Sequence, residues 1–180
     1  RDLEYRLKQL DFERARQNAA LGLLPKIAPL IALAEQRRAL HPLNAEHAKK
    51  LITEATDALQ NSETALRADS QSVSPIVALR ASRLLSAFRE DFKQWHIFYD
   101  GYDPAYRKHV SKAYAALDAQ MDTTGKFLRN DLAKASDPET IIGDPIGRDA
   151  VEASLQHELI PYTPEQIVSL AERELSWCQD

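Results

Sequence analysis

Along most of this chain the apolar residues recur three and four positions apart, with charged residues between them. That spacing puts one apolar stripe on each of several successive α-helices. The opening stretch RDLEYRLKQLDFERARQNAALGLLP sets Leu3, Leu7, Leu10 and Ala15 on one face, and Gly22 and Pro25 mark its exit. After Pro29 a second helix is predicted through IALAEQRRAL, ending near His41-Pro42. Asn44 is placed to cap a long third helix whose stripe is Ala48, Leu51, Ile52, Ala55, Ala58, Leu59, Ala65 and Leu66. The same periodicity assigns Glu46, Lys49, Lys50, Glu54, Asp57 and Glu63 to water. DSQSVSP then interrupts the pattern, since its Ser side chains compete for backbone hydrogen bonds and its Pro fixes φ.

The fourth stripe is the most regular. Val77, Ala81, Leu84, Leu85, Phe88, Phe92, Trp95 and Tyr99 define a face for burial, and Arg80, Arg83, Arg89, Glu90 and Lys93 fall outside it. Asp100-Gly101 is expected to stop this helix, and Asp103-Pro104 to start the next, with Asp as N-cap and Pro in the first helical position. So short a connection implies an antiparallel helical hairpin. The fifth stripe, Tyr106, Val110, Ala113, Tyr114, Leu117, Met121, Leu128 and Leu132, runs to Asp137-Pro138, and Gly125 inside it suggests close helix packing. SDPETIIGDPIG reads as a loop, followed by a sixth helix over 146–160 that Pro161 ends. Thr163-Pro164-Glu165-Gln166 is a capping box opening a seventh helix lined by Ile167, Leu170, Ala171, Leu175 and Cys178. The expected fold is therefore all-α, with about seven helices in an antiparallel bundle or array. Residues 1–135 form the bundle, 136–145 the loop, and 146–180 a helix pair expected to continue into further chain. No fixed-period repeat is visible.

Composition sharpens this picture. Only five glycines, with 44% apolar and 28% charged residues, suit a helical globular chain. The single Cys178 rules out an internal disulfide framework and a multi-cysteine zinc ribbon; it is read as a small buried hydrophobe and fits a reducing compartment such as the cytoplasm. A signal peptide is not assessable in a chain that begins at Arg1 in the middle of an amphipathic pattern. The net charge of −4 conceals a gradient, +3 over residues 1–90 and −7 over 91–180. It holds no dense basic stripe for a phosphate backbone and no apolar run of membrane-spanning length, so neither nucleic acid nor membrane is expected as a partner.

Two constellations carry candidate chemistry. Gln156-His157-Glu158-Leu159-Ile160-Pro161 begins like a zinc-binding HExxH helix, in which two imidazoles one turn apart reach one ion. Here proline occupies the position of the second imidazole, so no metal ligand and no catalytic residue is assigned to this chain. His157 is placed on the helix flank near Asp149 and Ala153, and Glu158 is expected to pair with Arg148 or Arg173. The second constellation is WHIFYDGYDPAY. Trp95, His96, Tyr99, Asp100, Tyr102 and Tyr106 could line a pocket, with the Asp100 carboxylate orienting His96 as a base. The competing reading is aromatic packing that locks the corner. No Walker loop, GxGxxG turn or nucleophile–His–acid spacing is present.

WHIFYDGYDPAY, TIIGDPIGRDAVEASLQHELIPYTPEQIVSLAERELSWC and LKQLDFERARQNAALGLLPKIAPLIALAEQRRAL together resemble the helical first half of a bacterial and fungal family known as domain of unknown function 885. The resemblance covers most of the chain and is most specific at YDGYDP, IGDPIGR and IPYTPEQ. Members look like zinc metallopeptidases with an HExxPGHH-type motif far downstream of this region. Tyr162-Thr163 stand where that motif would have Gly-His, so no family ligand transfers to this chain. Lys108 and His109 also depart from the aromatic pair the family often has after YDPxF. The resemblance implies a helical, non-metal-binding portion of a larger hydrolase. Zinc would sit in the remaining C-terminal half, and a peptide or small molecule would be the substrate. The alternative is a stand-alone helical interaction module without catalysis.

Overall fold

The computed structural model describes residues 2–69, 72–137, 140 and 142–179. It is all-α, with eight α-helices, one π-helical turn and no strand among the described residues. The helices are α1 (Asp2–Leu21), α2 (Ile27–Arg38), α3 (Ala45–Ala68), α4 (Pro75–Tyr102), α5 (Pro104–His109), α6 (Ser111–Lys126), α7 (Arg148–His157) and α8 (Pro164–Gln179), with the π turn at Phe127–Leu132. They divide into two compact units, Gln17–Ile142 and Arg1–Arg16 with Gly143–Asp180. The first part of α1 thus groups with the last helices rather than with those that follow it. Ser70 and Gln71 of the expected break, Pro138, Glu139 and Ile141 of the expected loop, and the ends at Arg1 and Asp180 lie outside the described residues.

In the larger unit α3 and α4 both pack on α6. The α3 stripe is buried at Ala48, Ile52, Ala55 and Leu59, one turn apart or nearly so. Asn44 caps it, its Oδ1 accepting from the His47 N–H at 3.0 Å. One turn beyond Leu59 the stripe carries Glu63, which was expected in water and is in fact 8% exposed. Helical phase put it there, and hydrogen bonds make it tolerable. Its Oε2 accepts from the Thr124 hydroxyl at 3.0 Å and from Gln120 Nε2 at 3.1 Å, while Oε1 accepts two N–H groups of Arg67. Arg67 also lies over the Phe127 ring, 4.1 Å from its centroid.

The α4 helix runs through Gly101 to Tyr102, so the expected stop at Asp100-Gly101 is one step early. What ends it is Pro104, whose ring drives Asp103 out of helical geometry to φ −111°, ψ 109°. Asp103 then caps α5 as expected, accepting from the Ala105 N–H at 2.8 Å. The single fifth helix anticipated from the stripe is three pieces. Val110, at φ −112°, kinks the chain between α5 and α6 while its carbonyl still accepts from the Tyr114 N–H at 2.9 Å. The wide turn after Lys126 shows in the bond from the Ala133 N–H to the Leu128 carbonyl, five residues back. At Gly125 a Cβ would meet, among the described residues, only the Leu85 Cδ2, at 4.0 Å, so space does not demand glycine there.

In the smaller unit Ala150 is buried, and the ring of Tyr5 stacks on His157 at 4.0 Å with an interplanar angle of 4°. The Tyr5 hydroxyl also meets the Ser154 Oγ at 3.0 Å. Arg148 joins α7 to α8 by engaging Glu152 and Glu165, and Arg173 engages Glu174, so both arginines expected for Glu158 have other partners. The capping box is reciprocal: the Gln166 N–H donates to Thr163 Oγ1 at 3.3 Å, and the Thr163 N–H to Gln166 Oε1 at 2.8 Å. Several apolar positions of this unit face solvent. Leu3, Leu7 and Leu10 are 75%, 62% and 51% exposed, and Leu175 and Trp177 59% and 76%. Cys178, expected buried, is exposed, because no residue of α8 is buried.

Candidate functional site

The side chains facing each other across α4 and α6 form an antiparallel ladder. The Ser82 hydroxyl donates to the Gly125 carbonyl at 3.0 Å. About two turns on, Arg89 forks onto Asp118, with Nε to Oδ1 at 2.7 Å and Nη2 to Oδ2 at 2.8 Å, and its Nη1 reaches Asp122 at 2.7 Å. Two turns further, the His96 ring stacks on Tyr114 at 3.8 Å. Above this ladder lies a groove of about 780 Å³ that follows α4 from Leu79 to Ile97 and borders the backbone beyond the π turn at Ala135 and Thr140.

The groove is polar and charged. Arg83, Arg89, Lys93, Lys126 and Arg129 line it, against the carboxylates Glu90, Asp118 and Asp122. The bidentate fork sets the electrostatics of its middle. Hydrogen bonding to Asp118, ahead of the opposing effect of burial, holds the Arg89 guanidinium well above its ordinary range. Asp118 is held below the usual carboxylate range first by its hydrogen bonds to Arg89, and Asp122 first by its bond to Lys126, 2.6 Å away. Asp118, Asp122 and Lys126 are spaced i, i+4, i+8 on one helix face. That spacing was available to sequence reasoning; the Arg89 partner, 29 residues away, was not.

The aromatic corner lies at the other end. Trp95 is buried, stacked on Phe92 at 4.6 Å, and its Nε1–H has no hydrogen-bond partner among the described residues. Tyr106 is fully buried and meets Trp95 edge-on at 5.4 Å, and Tyr99 stacks on Tyr106 at 5.7 Å. Tyr102 is 77% exposed, stacked on Phe98. Of the six residues singled out, His96 borders the groove and the other five do not. Its Nδ1 partner is the Tyr106 hydroxyl, at 2.7 Å, in place of the expected Asp100 carboxylate. Asp100 instead accepts from the Ser111 hydroxyl at 2.6 Å. Burial lowers the His96 pKa, partly offset by Asp100 and Asp118, so the ring is neutral at pH 7. Burial also raises the phenols, Tyr99 and Tyr106 upward and Tyr114 to about 12, so all three are proton donors rather than anions near neutrality.

The residues around His157 do not fit a zinc centre. The helix ends at His157, because Leu159 takes the left-handed conformation at φ 60° and the Ile160 N–H bonds back to the Leu155 carbonyl at 2.9 Å. The expected end at Ile160, before Pro161, is therefore three residues late, and no helical turn follows directly to present a second ligand. The imidazole itself is stacked on Tyr5 with Nε2 3.6 Å from Asp2. Among the described residues no three His, Cys, Asp or Glu side chains are grouped to hold a metal ion.

Compared with models of protein families, with curated proteins and with solved structures, the chain has no match.

Proposed function

We propose that this chain is a helical portion of a larger metallopeptidase-like hydrolase, and that the α4–α6 groove is a wall of its substrate cleft. The reading takes its family from the resemblance at YDGYDP, IGDPIGR and IPYTPEQ. The observation that supports the cleft is the groove itself, long and charge-lined beside a well-packed aromatic corner. Its chemistry is recognition: fixed cations, a neutral imidazole and hydroxyl groups orient a polar chain, and catalysis belongs to a zinc centre outside these residues. The test uses the whole product of the encoding gene. Ser86→Trp, at an exposed position lining the groove, should lower peptide hydrolysis while bound zinc stays unchanged. Undiminished hydrolysis, or a product that neither holds zinc nor cleaves peptides, overturns the reading.

One observation favours a second reading, a helical interaction module. Leu3, Leu7 and Leu10 of α1 present an apolar stripe to solvent, as a partner helix would require. A module would bind through that stripe with the groove left uninvolved.

A further inference from the structure

We infer that the Ser82–Gly125 end of the groove is an anion subsite that holds a carboxylate of an extended peptide. The inference rests on the groove being a substrate cleft and names the chemistry that cleft selects. Among the described residues of the lining, five cations against three carboxylates give a net charge of +2, in a chain whose own net charge is −4.

The acids are already committed. Asp118 accepts two N–H groups of Arg89, and Asp122 is divided between Arg89 and Lys126. Among the described lining residues, little negative charge is left over for Arg83 and Arg129, which line the same end. Arg83 has no ion-pair partner among the described residues, and Arg129 has its Nε on the Ala135 carbonyl at 3.0 Å, one of the five N–H groups of a guanidinium. Two guanidinium groups and the Lys126 ammonium thus gather where the neutral Ser82–Gly125 bond closes the ladder. Planar N–H forks of this kind match a carboxylate in geometry as well as charge.

The length fits a peptide rather than a small anion alone. At ~1.5 Å per helical residue, the α4 edge from Leu79 to Ile97 is about 27 Å long, room for roughly eight extended residues at ~3.3 Å each. An anchored carboxylate at one end would lay the remaining backbone along Lys93 toward His96.

The test titrates the ¹⁵N-labelled 180-residue chain at low salt with four probes. Three are hexapeptides of one neutral sequence: C-terminally amidated, free at the C-terminus, and amidated with one Asp. The fourth is inorganic phosphate. A charged hexapeptide should bind roughly tenfold tighter than the neutral amide, move the Arg83, Gly125 and Arg129 amides, and weaken as salt is added. The advantage should vanish in the exposed-site double variant Arg83→Gln/Arg129→Gln, with its helical circular dichroism unchanged. Whichever charged peptide wins identifies the carboxylate as terminal or side-chain. Equal binding of the neutral amide along the same groove overturns the anion subsite and leaves the cleft intact. Phosphate displacing the charged peptides at equal concentration overturns the peptide assignment. No response of the lining residues to any hexapeptide overturns the cleft reading itself.

Discussion

The carboxylate of Glu63 on α3 accepts a hydrogen bond from the Thr124 hydroxyl on α6 at 3.0 Å, joining two helices through a buried polar contact. Removing the acceptor strands the partners. Glu63→Ala should lower unfolding stability by about 2 kcal/mol, the usual scale for buried donors left unsatisfied, and Glu63→Gln by clearly less because it keeps an acceptor. Urea titrations of the two variants measure the difference; equal losses would mean that packing, not hydrogen bonding, holds the site.

The Arg89 fork predicts acid sensitivity. Asp118 and Asp122 have folded pKa values below their ordinary range, so the pair's contribution is fully present above the unfolded value of about 3.9 and is lost as pH falls through the lower folded values. The contribution should be on the order of 1 kcal/mol, kept small because Arg89 and Asp118 remain 35% and 31% exposed. Thermal unfolding from pH 7 to pH 3 should fall less steeply for Arg89→Met than for the parent. Parallel profiles would count against the fork as the source.

His96 acts in a higher window. Its folded pKa is lowered by burial, so stability is present above the unfolded value of about 6.5 and is lost as pH falls through the lower folded one. Its imidazole C–H resonances should titrate below pH 6.5. A midpoint at or above the ordinary value would remove the argument for a neutral ring in the groove.

Glycine at 125 is a site for stabilisation. A methyl there meets the Leu85 Cδ2 at an ordinary 4.0 Å, and α6 has a helical backbone at that position. Gly125→Ala should therefore raise stability by about 1 kcal/mol from helix propensity. A loss would show that the Ser82 bond to its carbonyl shifts when the side chain is added.

The isolated 180-residue chain should retain far less than one zinc per molecule after purification, with no change on His157→Ala. Stoichiometric zinc that His157→Ala abolishes, measured by atomic emission, would contradict the geometry at Leu159.

Much of the fold was legible because stripes and caps are local. The α3 and α4 faces, the Asn44 and Asp103 caps and the Thr163–Gln166 box follow from spacing and side-chain chemistry within a turn. Glu63 was misread because periodicity scores a carboxylate as polar and cannot see Thr124, 61 residues away. Gly101 was misread because a glycine ends a helix only where it takes the left-handed conformation itself, which Gly101 does not; the left-handed residues that follow helical segments are Leu40, Lys134 and Leu159, which propensity would not nominate. The groove was missed for the same reason as Glu63. Arg89 reads as an ordinary surface arginine until α6 brings Asp118 and Asp122 beside it.

The ladder between α4 and α6 also makes the groove intolerant of length changes. Losing one residue between Ser82 and Arg89 would rotate everything C-terminal to it by about 100° around the helix axis while leaving the Ser82–Gly125 contact in place. Arg89 would swing off both aspartates and His96 off Tyr114 together. Substitutions can retune this wall one rung at a time, but an insertion or deletion within it must dismantle every rung on one side.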